Sequence, residues 1–211
     1  MLHIVSDGIN YACGLTLGGL ALSYFLNPWL GVPLYLLALF CLWFFRDPDR
    51  KVPPGDVLVS PADGKVVLIH DLATNEKRVS VFLNIFNVHV TRSPAAGRIS
   101  EVSYQKGKFR VASLELASTE NEQNTIRLDA NGSKVIFSQI AGLIARRIIC
   151  YKKAGDTVAV GERVGLIKFG SRVDVFIGPE WELVVSRGQK VSAGSTVLAR
   201  KRPVAAEGSP S

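Results

Sequence analysis

Apolar and polar positions divide this chain into two unlike parts. From Tyr11 to Phe45 there is no Asp, Glu, Lys, Arg or His, and the run is broken only by Asn27-Pro28 and Gly31-Val32-Pro33. A straight membrane span needs about 20 apolar residues, so the run is too long for one span and a little short for two. The Asn-Pro and Pro signals fall near its middle, where a helical hairpin turns. The pattern predicts two short apolar helices, Tyr11 to Leu26 and Trp29 to Phe45, forming a hairpin or re-entrant membrane anchor with both ends on one side. Arg46, Arg50 and Lys51 follow at once, and basic residues beside such a segment favour the cytoplasmic face. A cleaved signal peptide fits poorly, since a basic n-region is missing and the run far exceeds the roughly 7 to 15 residues of an h-region.

Beyond Arg46 the pattern changes to short alternating runs with Gly, Pro and Asp-Gly punctuation. Val57 to Val59, Lys65 to Ile69, Val79 to Leu83, Ile99 to Tyr104, Thr125 to Leu128, Val135 to Ile140, Arg147 to Tyr151, Val164 to Ile167 and Val173 to Ile177 read as strands. Phe109 to Asn124, rich in Ser, Glu and Asn, fits a loop or a short helix. Ala154 to Gly161 and Arg187 to Gly194 repeat one design, a glycine turn, a valine and a second glycine three residues on. Such units resemble those of lipoyl and biotinyl carrier domains and other sandwich-barrel hybrids, but the carriers' attachment lysine has no counterpart. The expected architecture is mainly β, a sandwich-barrel-like domain over 47–200, with the helical hairpin over 1–46 and a disordered tail over 201–211.

Composition narrows the partners. The chain has 211 residues, a formal charge of +7 and a pI near 9.5, which favours anionic partners, nucleic acid or an anionic membrane surface. The apolar run points to the membrane, and the basic residues are dispersed without aromatic interleaving, which argues against nucleic acid. Cys13, Cys41 and Cys150 form no CxxC pair and no zinc spacing, so they read as free thiols in a reducing compartment, with no metal site.

Chemistry concentrates in three short stretches. Lys168-Phe169-Gly170-Ser171-Arg172-Val173-Asp174 joins two apolar runs through a glycine followed by a hydroxyl. A carbonyl beside glycine is sterically open, so Ser171 is positioned as an intramolecular nucleophile if the turn is strained; Gly-Ser is also an ordinary hairpin turn. Val59-Ser60-Pro61-Ala62-Asp63-Gly64-Lys65-Val66 places a carboxylate in a turn between strands, where Asp-Gly equally serves the turn itself. Phe82 to Pro94 carries His89 at a strand end near Arg92. A carboxylate, an imidazole and a serine are the orienter, base and nucleophile that activate a hydroxyl.

Asp63 in Ser-Pro-Ala-Asp-Gly-Lys-Val, His89 in Phe-Asn-Val-His-Val-Thr-Arg-Ser-Pro and Ser171 in Phe-Gly-Ser-Arg-Val-Asp resemble, in order, the short, archaeal-type form of the phosphatidylserine decarboxylase family. Phe44-Phe45-Arg46-Asp47-Pro48 and Ile144 to Tyr151 look like it too. The resemblance implies a proenzyme that cuts itself between Gly170 and Ser171. His89, oriented by Asp63, would take the Ser171 proton, and the serine residue would end as a pyruvoyl group. That group, with neither metal nor pyridoxal phosphate, would form a Schiff base with phosphatidylserine, and its decarboxylation would give phosphatidylethanolamine. His89 would also donate the proton to the product carbon.

The implied partners are phosphatidylserine, an anionic membrane and the chain's own fragments, 1–170 with 171–211; a homo-oligomer is left open. The implied location is the cell membrane, with the β domain on the cytoplasmic side. Arg92, Arg146, Arg147 and Arg172 are candidates for phosphate or carboxylate recognition. Where the longer bacterial form has a further histidine, this chain has Phe86 and Asn87, and its Gly194-Ser195-Thr196 is a decoy that lacks the Phe-Gly-Ser-Arg context. Two other readings remain, a membrane-anchored Ser-His-Asp hydrolase without self-cleavage and a non-enzymatic sandwich-barrel adaptor.

Overall fold

The computed structural model describes residues 2–108, 117–130, 132–142, 147–168 and 170–203. The sequence-predicted tail beyond 203, the first half of the Phe109 to Asn124 segment and Arg146 lie outside the described residues.

Strand β1 (Leu2–Ile4) leads into α1 (Ser6–Phe25) and α2 (Pro28–Phe44), and β2 (Arg46–Pro48) returns to pair antiparallel with β1. The expected hairpin is present, with its first helix starting at Ser6 instead of Tyr11. The Asn27 side chain accepts the Trp29 amide at 2.9 Å, and Pro28 needs no donor partner in the first turn, so Asn-Pro stops one helix and starts the next. The helices meet through small residues. A Cβ on Gly31 would lie 2.1 Å from Ser23 Oγ, and one on Gly19 2.6 Å from the Tyr35 ring. Bulky apolar groups, among them Leu17, Leu20, Trp29, Leu36 and Leu39, are left exposed on the outside. Among the described residues, no helix is long and apolar enough to cross a membrane. At 17 residues α2 is only about 25 Å long. Polar Asp7, Asn10 and Thr16 and several glycines dilute α1.

The remainder is mainly β. In chain order follow β3 (Val57–Val59), β4 (Gly64–Asp71), β5 (Lys77–Leu83), β6 (Val90–Arg92) and β7 (Gly97–Gln105). A short helix α3 (Ala117–Glu120) precedes β8 (Gln123–Ala130), β9 (Ser133–Ala141), β10 (Ile148–Cys150), β11 (Thr157–Val158) and β12 (Arg163–Ile167). The chain continues with β13 (Ser171–Ile177), β14 (Trp181–Leu183), β15 (Lys190–Val191) and β16 (Val197–Lys201). One sheet has eight strands in the order β11-β7-β8-β9-β13-β5-β4-β15, and two have three strands each, β10-β12-β6 and β14-β16-β3. All nine strands read from the sequence are present, with ends shifted by a few residues. The strands it missed, β1, β2, β6, β11 and β14 to β16, span five residues or fewer.

Strand β13 is central. Val173 lies opposite Val81, and Val175 lies between Val79 and Phe137, all fully buried. Alternation sends Arg172 and Asp174 to the opposite face, where they bond to each other and to Ser80 and Ser118. The Gly170-Ser171 turn is no hairpin, because β12 and β13 belong to different sheets.

The glycine-valine repeat belongs to a larger internal duplication. Ser60-Pro61-Ala62 joins β3 to β4, and Ser93-Pro94-Ala95 joins β6 to β7. In each unit the serine hydroxyl donates to the alanine carbonyl at 2.7 Å. The serine carbonyls accept the amides of Gly194 and Gly161, both at 2.8 Å. These two glycines have φ of +71° and +73°, and their backbones come close enough that a Cβ on Gly194 would lie 3.4 Å from Gly161 Cα. Left-handed backbone at such a crossing leaves glycine as the residue that fits.

Candidate active site

Strand pairing brings His89 to the Gly170-Ser171 junction. β12 runs antiparallel to β6, with Leu166 opposite Val90, and the Ile167 amide donates to the His89 carbonyl at 3.2 Å. The chain then leaves that sheet, and Gly170 adopts φ +59°. Its amide donates to His89 Nε2 at 3.3 Å. The next residue, Ser171, opens β13 between Leu83 of β5 and Ala141 of β9.

His89 is fully buried, and its Nδ1 lies 2.9 Å from the Asn87 carbonyl. A carbonyl only accepts, so Nδ1 carries the proton, and Nε2, which accepts from Gly170, carries the lone pair. Burial pushes the imidazole pKa down to about 4; the Asn87 carbonyl opposes that shift and the nearby Arg46 charge adds to it. The ring is therefore neutral at pH 7, with its basic nitrogen turned to the backbone beside Ser171. Phe44 covers it, ring centroids 4.4 Å apart.

Ser171 is also fully buried, and its hydroxyl has no hydrogen-bond partner among the described residues. A buried hydroxyl without a partner costs about 1–3 kcal/mol, a strain characteristic of sites where a group is held for reaction.

Asp63 is placed differently from the expectation. Its Oδ1 accepts the Ala193 amide at 2.7 Å and its Oδ2 accepts from Arg50 Nη2 at 2.9 Å. The group on His89 Nδ1 is the Asn87 carbonyl, so the expected Asp63-to-His89 orientation is corrected. The carboxylate sits one sheet connection away, in the turn before β4, where a backbone donor and a guanidinium already use its oxygens. It lines a cleft of about 540 Å³ together with Lys65, Asn84, Phe86, Asn87 and Lys190. This cleft adjoins the backbone that orients His89.

The arginines separate likewise. Arg172 is 1% exposed and bound to Asp174 and Ser80, and Arg92 is buried against Asp47 and the Gly161 carbonyl. Both hold the fold together. Arg147 is exposed. Sequence reasoning missed Phe44, Asn87 and Lys168. Lys168 is buried with Nζ 3.1 Å from Tyr11 Oη and 3.4 Å from Asp7 of α1. The only sequence signal for Lys168 was its place three residues before Ser171; Phe44 stood in the Phe-Phe-Arg-Asp-Pro stretch that ends the apolar run, with nothing to tie it to His89. Among the described residues, no cluster of His, Cys, Asp and Glu forms a metal site.

With this geometry in view, comparison with known proteins is decisive. The family model described as phosphatidylserine decarboxylase matches residues 37–199. The chain belongs to that family. Similar relatives include the phosphatidylserine decarboxylase proenzyme of Solibacter usitatus, 56% identical over 200 residues, covering 95% of this chain and 98% of that one. The proenzyme of Solidesulfovibrio magneticus is 48% identical over 205 residues, 94% of this chain and 96% of its own. That of Syntrophus aciditrophicus is 42% identical over 204 residues, 92% and 96% respectively. The family match takes in Phe44, Asp63, His89 and the Gly170-Ser171 junction, so every residue of the site described above lies within it.

Proposed function

We propose that this chain is a self-processing phosphatidylserine decarboxylase. The observation that carries the reading is the meeting of three features: a buried serine hydroxyl with no partner among the described residues, a left-handed glycine before it, and a neutral histidine lone pair on that glycine's amide. His89 Nε2 takes the Ser171 hydroxyl proton as Oγ attacks the Gly170 carbonyl. The C–N bond breaks, the proton passes to the Ser171 nitrogen, and an ester joins Gly170 to Ser171 Oγ. Loss of the Ser171 α-proton with departure of the Gly170 carboxylate leaves dehydroalanine, which water converts to a terminal pyruvoyl group and ammonia. His89 suits the base role because its desolvated ring stays unprotonated at neutral pH.

Position 171 fits such a group. It begins a strand held on both sides by β5 and β9, and the downstream fragment is woven further into the fold through β15 on β4 and β16 on β3. The pyruvoyl ketone supplies an electron sink that condenses with a primary amine and accepts the electron pair released with carbon dioxide. The cleft lined by Lys65 and Lys190 offers positive charge to a net anionic, phosphate-bearing head group. His89, whose Nε2 meets the Gly170 amide at 3.3 Å, is the group we assign to return a proton to the product carbon.

We propose further that the hairpin holds the site at the cytoplasmic face of the cell membrane. Its glycine-lined interior and bulky apolar exterior match helices packed in lipid, and its short helices suit insertion into one leaflet. The test is an intact mass under denaturing conditions. Two chains, one ending at Gly170 and one beginning at 171 with a ketone in place of its amine, support the reading; a single full-length chain after long incubation sinks it and favours a hydrolase or an adaptor.

A further inference from the structure

The segment that closes α2 and opens the β region contacts the histidine strand at three successive places. Before His89, the Arg46 guanidinium donates to the Phe86 carbonyl at 2.7 Å while also holding the Trp43 carbonyl at 2.8 Å. At His89, the Phe44 ring lies 4.4 Å away with its plane tilted by 32°. After it, Asp47 accepts from Arg92 at 2.6 Å and pairs with Arg163. Phe44 belongs to an apolar cluster with Phe45, Val88, Val90 and Leu166, separate from the main β core. These contacts bracket one imidazole more closely than attachment of a hairpin requires.

We infer that Phe44 is a positioning residue for self-cleavage, its ring covering one face of His89 so that Nε2 stays turned to Gly170 and water stays off the base. The inference rests on the self-cleavage proposed above and gives the hairpin a duty separate from any membrane. An imidazole held at Nδ1 by Asn87 and at Nε2 by one 3.3 Å bond can still tip out of its plane; a ring on its face limits the motion. A displacement of about 1 Å at such a site costs on the order of 100-fold in rate. The charged groups around the ring are accounted for. Arg46 of β2 bears directly on it, Lys168 after β12 is turned to Asp7 and Tyr11, Asp63 is taken up by Arg50, and Arg172 of β13 by Asp174. The remaining variable at the imidazole is the apolar wall.

The experiment uses full-length precursor made by cell-free synthesis into detergent micelles, with cleavage followed by intact mass from about pH 4 to 8, the range over which a histidine base declares itself. Phe44→Leu keeps apolar bulk but removes the ring face. Phe45→Leu removes an equally buried ring of the same cluster that does not stack on His89. Phe44→Met repeats the comparison with a more adaptable side chain if the leucine variant does not fold. The expected result is cleavage about tenfold slower in the Phe44 variant, with its acid limb moved up by about one pH unit as water reaches the base. Phe45→Leu should keep the wild-type pH profile. Identical profiles for the two positions, shifted or not, overturn the role of Phe44 and leave self-cleavage standing. A wild-type precursor that never cleaves overturns the underlying reading instead.

Discussion

Two of the chain's four Gly-Ser pairs, Gly170-Ser171 and Gly194-Ser195, share a left-handed glycine and have opposite surroundings. Gly170 and Gly194 both have left-handed φ, +59° and +71°. At Gly194 every demand is met locally: its amide donates to the Ser60 carbonyl at 2.8 Å, the Ser195 amide to Ser192 at 3.2 Å, and a Cβ would lie 3.1 Å from Arg92 Cδ. At Gly170 the amide meets a histidine nitrogen, and among the described residues a Cβ would find nothing within 4 Å and the following buried hydroxyl has no partner. A left-handed glycine is thus common to both and does not by itself mark the proposed cleavage site. A neutral imidazole nitrogen on the glycine amide, dry surroundings and a hydroxyl with no partner among the described residues make the difference.

The comparison breaks most directly at the two serines. Ser171→Ala is expected to leave one chain of full mass, while Ser195→Ala yields two fragments as wild type does; cleavage surviving the first change would move the junction elsewhere. His89→Ala removes the base, and a slowing of about 10²–10⁴-fold is expected in a time course of fragment formation. Normal processing of that variant would end the base assignment.

Acid stability probes the same ring without chemistry. In the uncut Ser171→Ala chain, His89 has a folded pKa of about 4 against an ordinary value near 6.5, so only the unfolded state takes up the proton between those values. Its stabilising contribution is complete above about pH 6.5 and declines as pH falls toward 4, by on the order of 3 kcal/mol. Urea midpoints at both ends of that window, with and without His89→Asn, measure the difference; equal pH losses in the two chains would contradict the dry site.

Asp63→Ala strands the Arg50 guanidinium and the Ala193 amide, with an expected loss of about 1–3 kcal/mol in urea unfolding. Processing should slow far less than in His89→Ala. Ala96 occupies the equivalent place in the duplicated turn, so the fold tolerates a turn without the carboxylate. Fragment formation as slow as in His89→Ala would restore Asp63 to the proton path. The smallest effect belongs to the glycines. Gly170→Ala should cost about 1 kcal/mol of backbone strain, and Gly194→Ala more, because Arg92 and Gly161 crowd it. A thermal melt of the uncut chains that reversed this order would show that crowding at Gly194 is readily relieved.

Much was legible early because certain residue types announce themselves. Alternation over Val79 to Leu83 and Val173 to Ile177 revealed core strands, since side chains alternate across a sheet. Asn27-Pro28 revealed the helix break. Strands such as β11 and β15, two residues each, are too short to carry any periodicity. The second copy of Ser-Pro-Ala stood in the sequence, but its meaning appeared only when the paired carbonyls of Ser60 and Ser93 received Gly194 and Gly161.

The sequence by itself determined the candidate groups for chemistry, Gly170, Ser171 and His89, and the division into an apolar hairpin and a β-rich remainder. Hydroxyls, imidazoles and apolar runs have properties intrinsic to residue type and local spacing. Only the tertiary structure decided that Asp63 serves Arg50 and Ala193 while a backbone carbonyl orients the histidine, and that Phe44, one apolar residue among many, is the one on the imidazole. Those choices depend on register between strands far apart in the chain, where a shift of one residue turns a side chain to the other face.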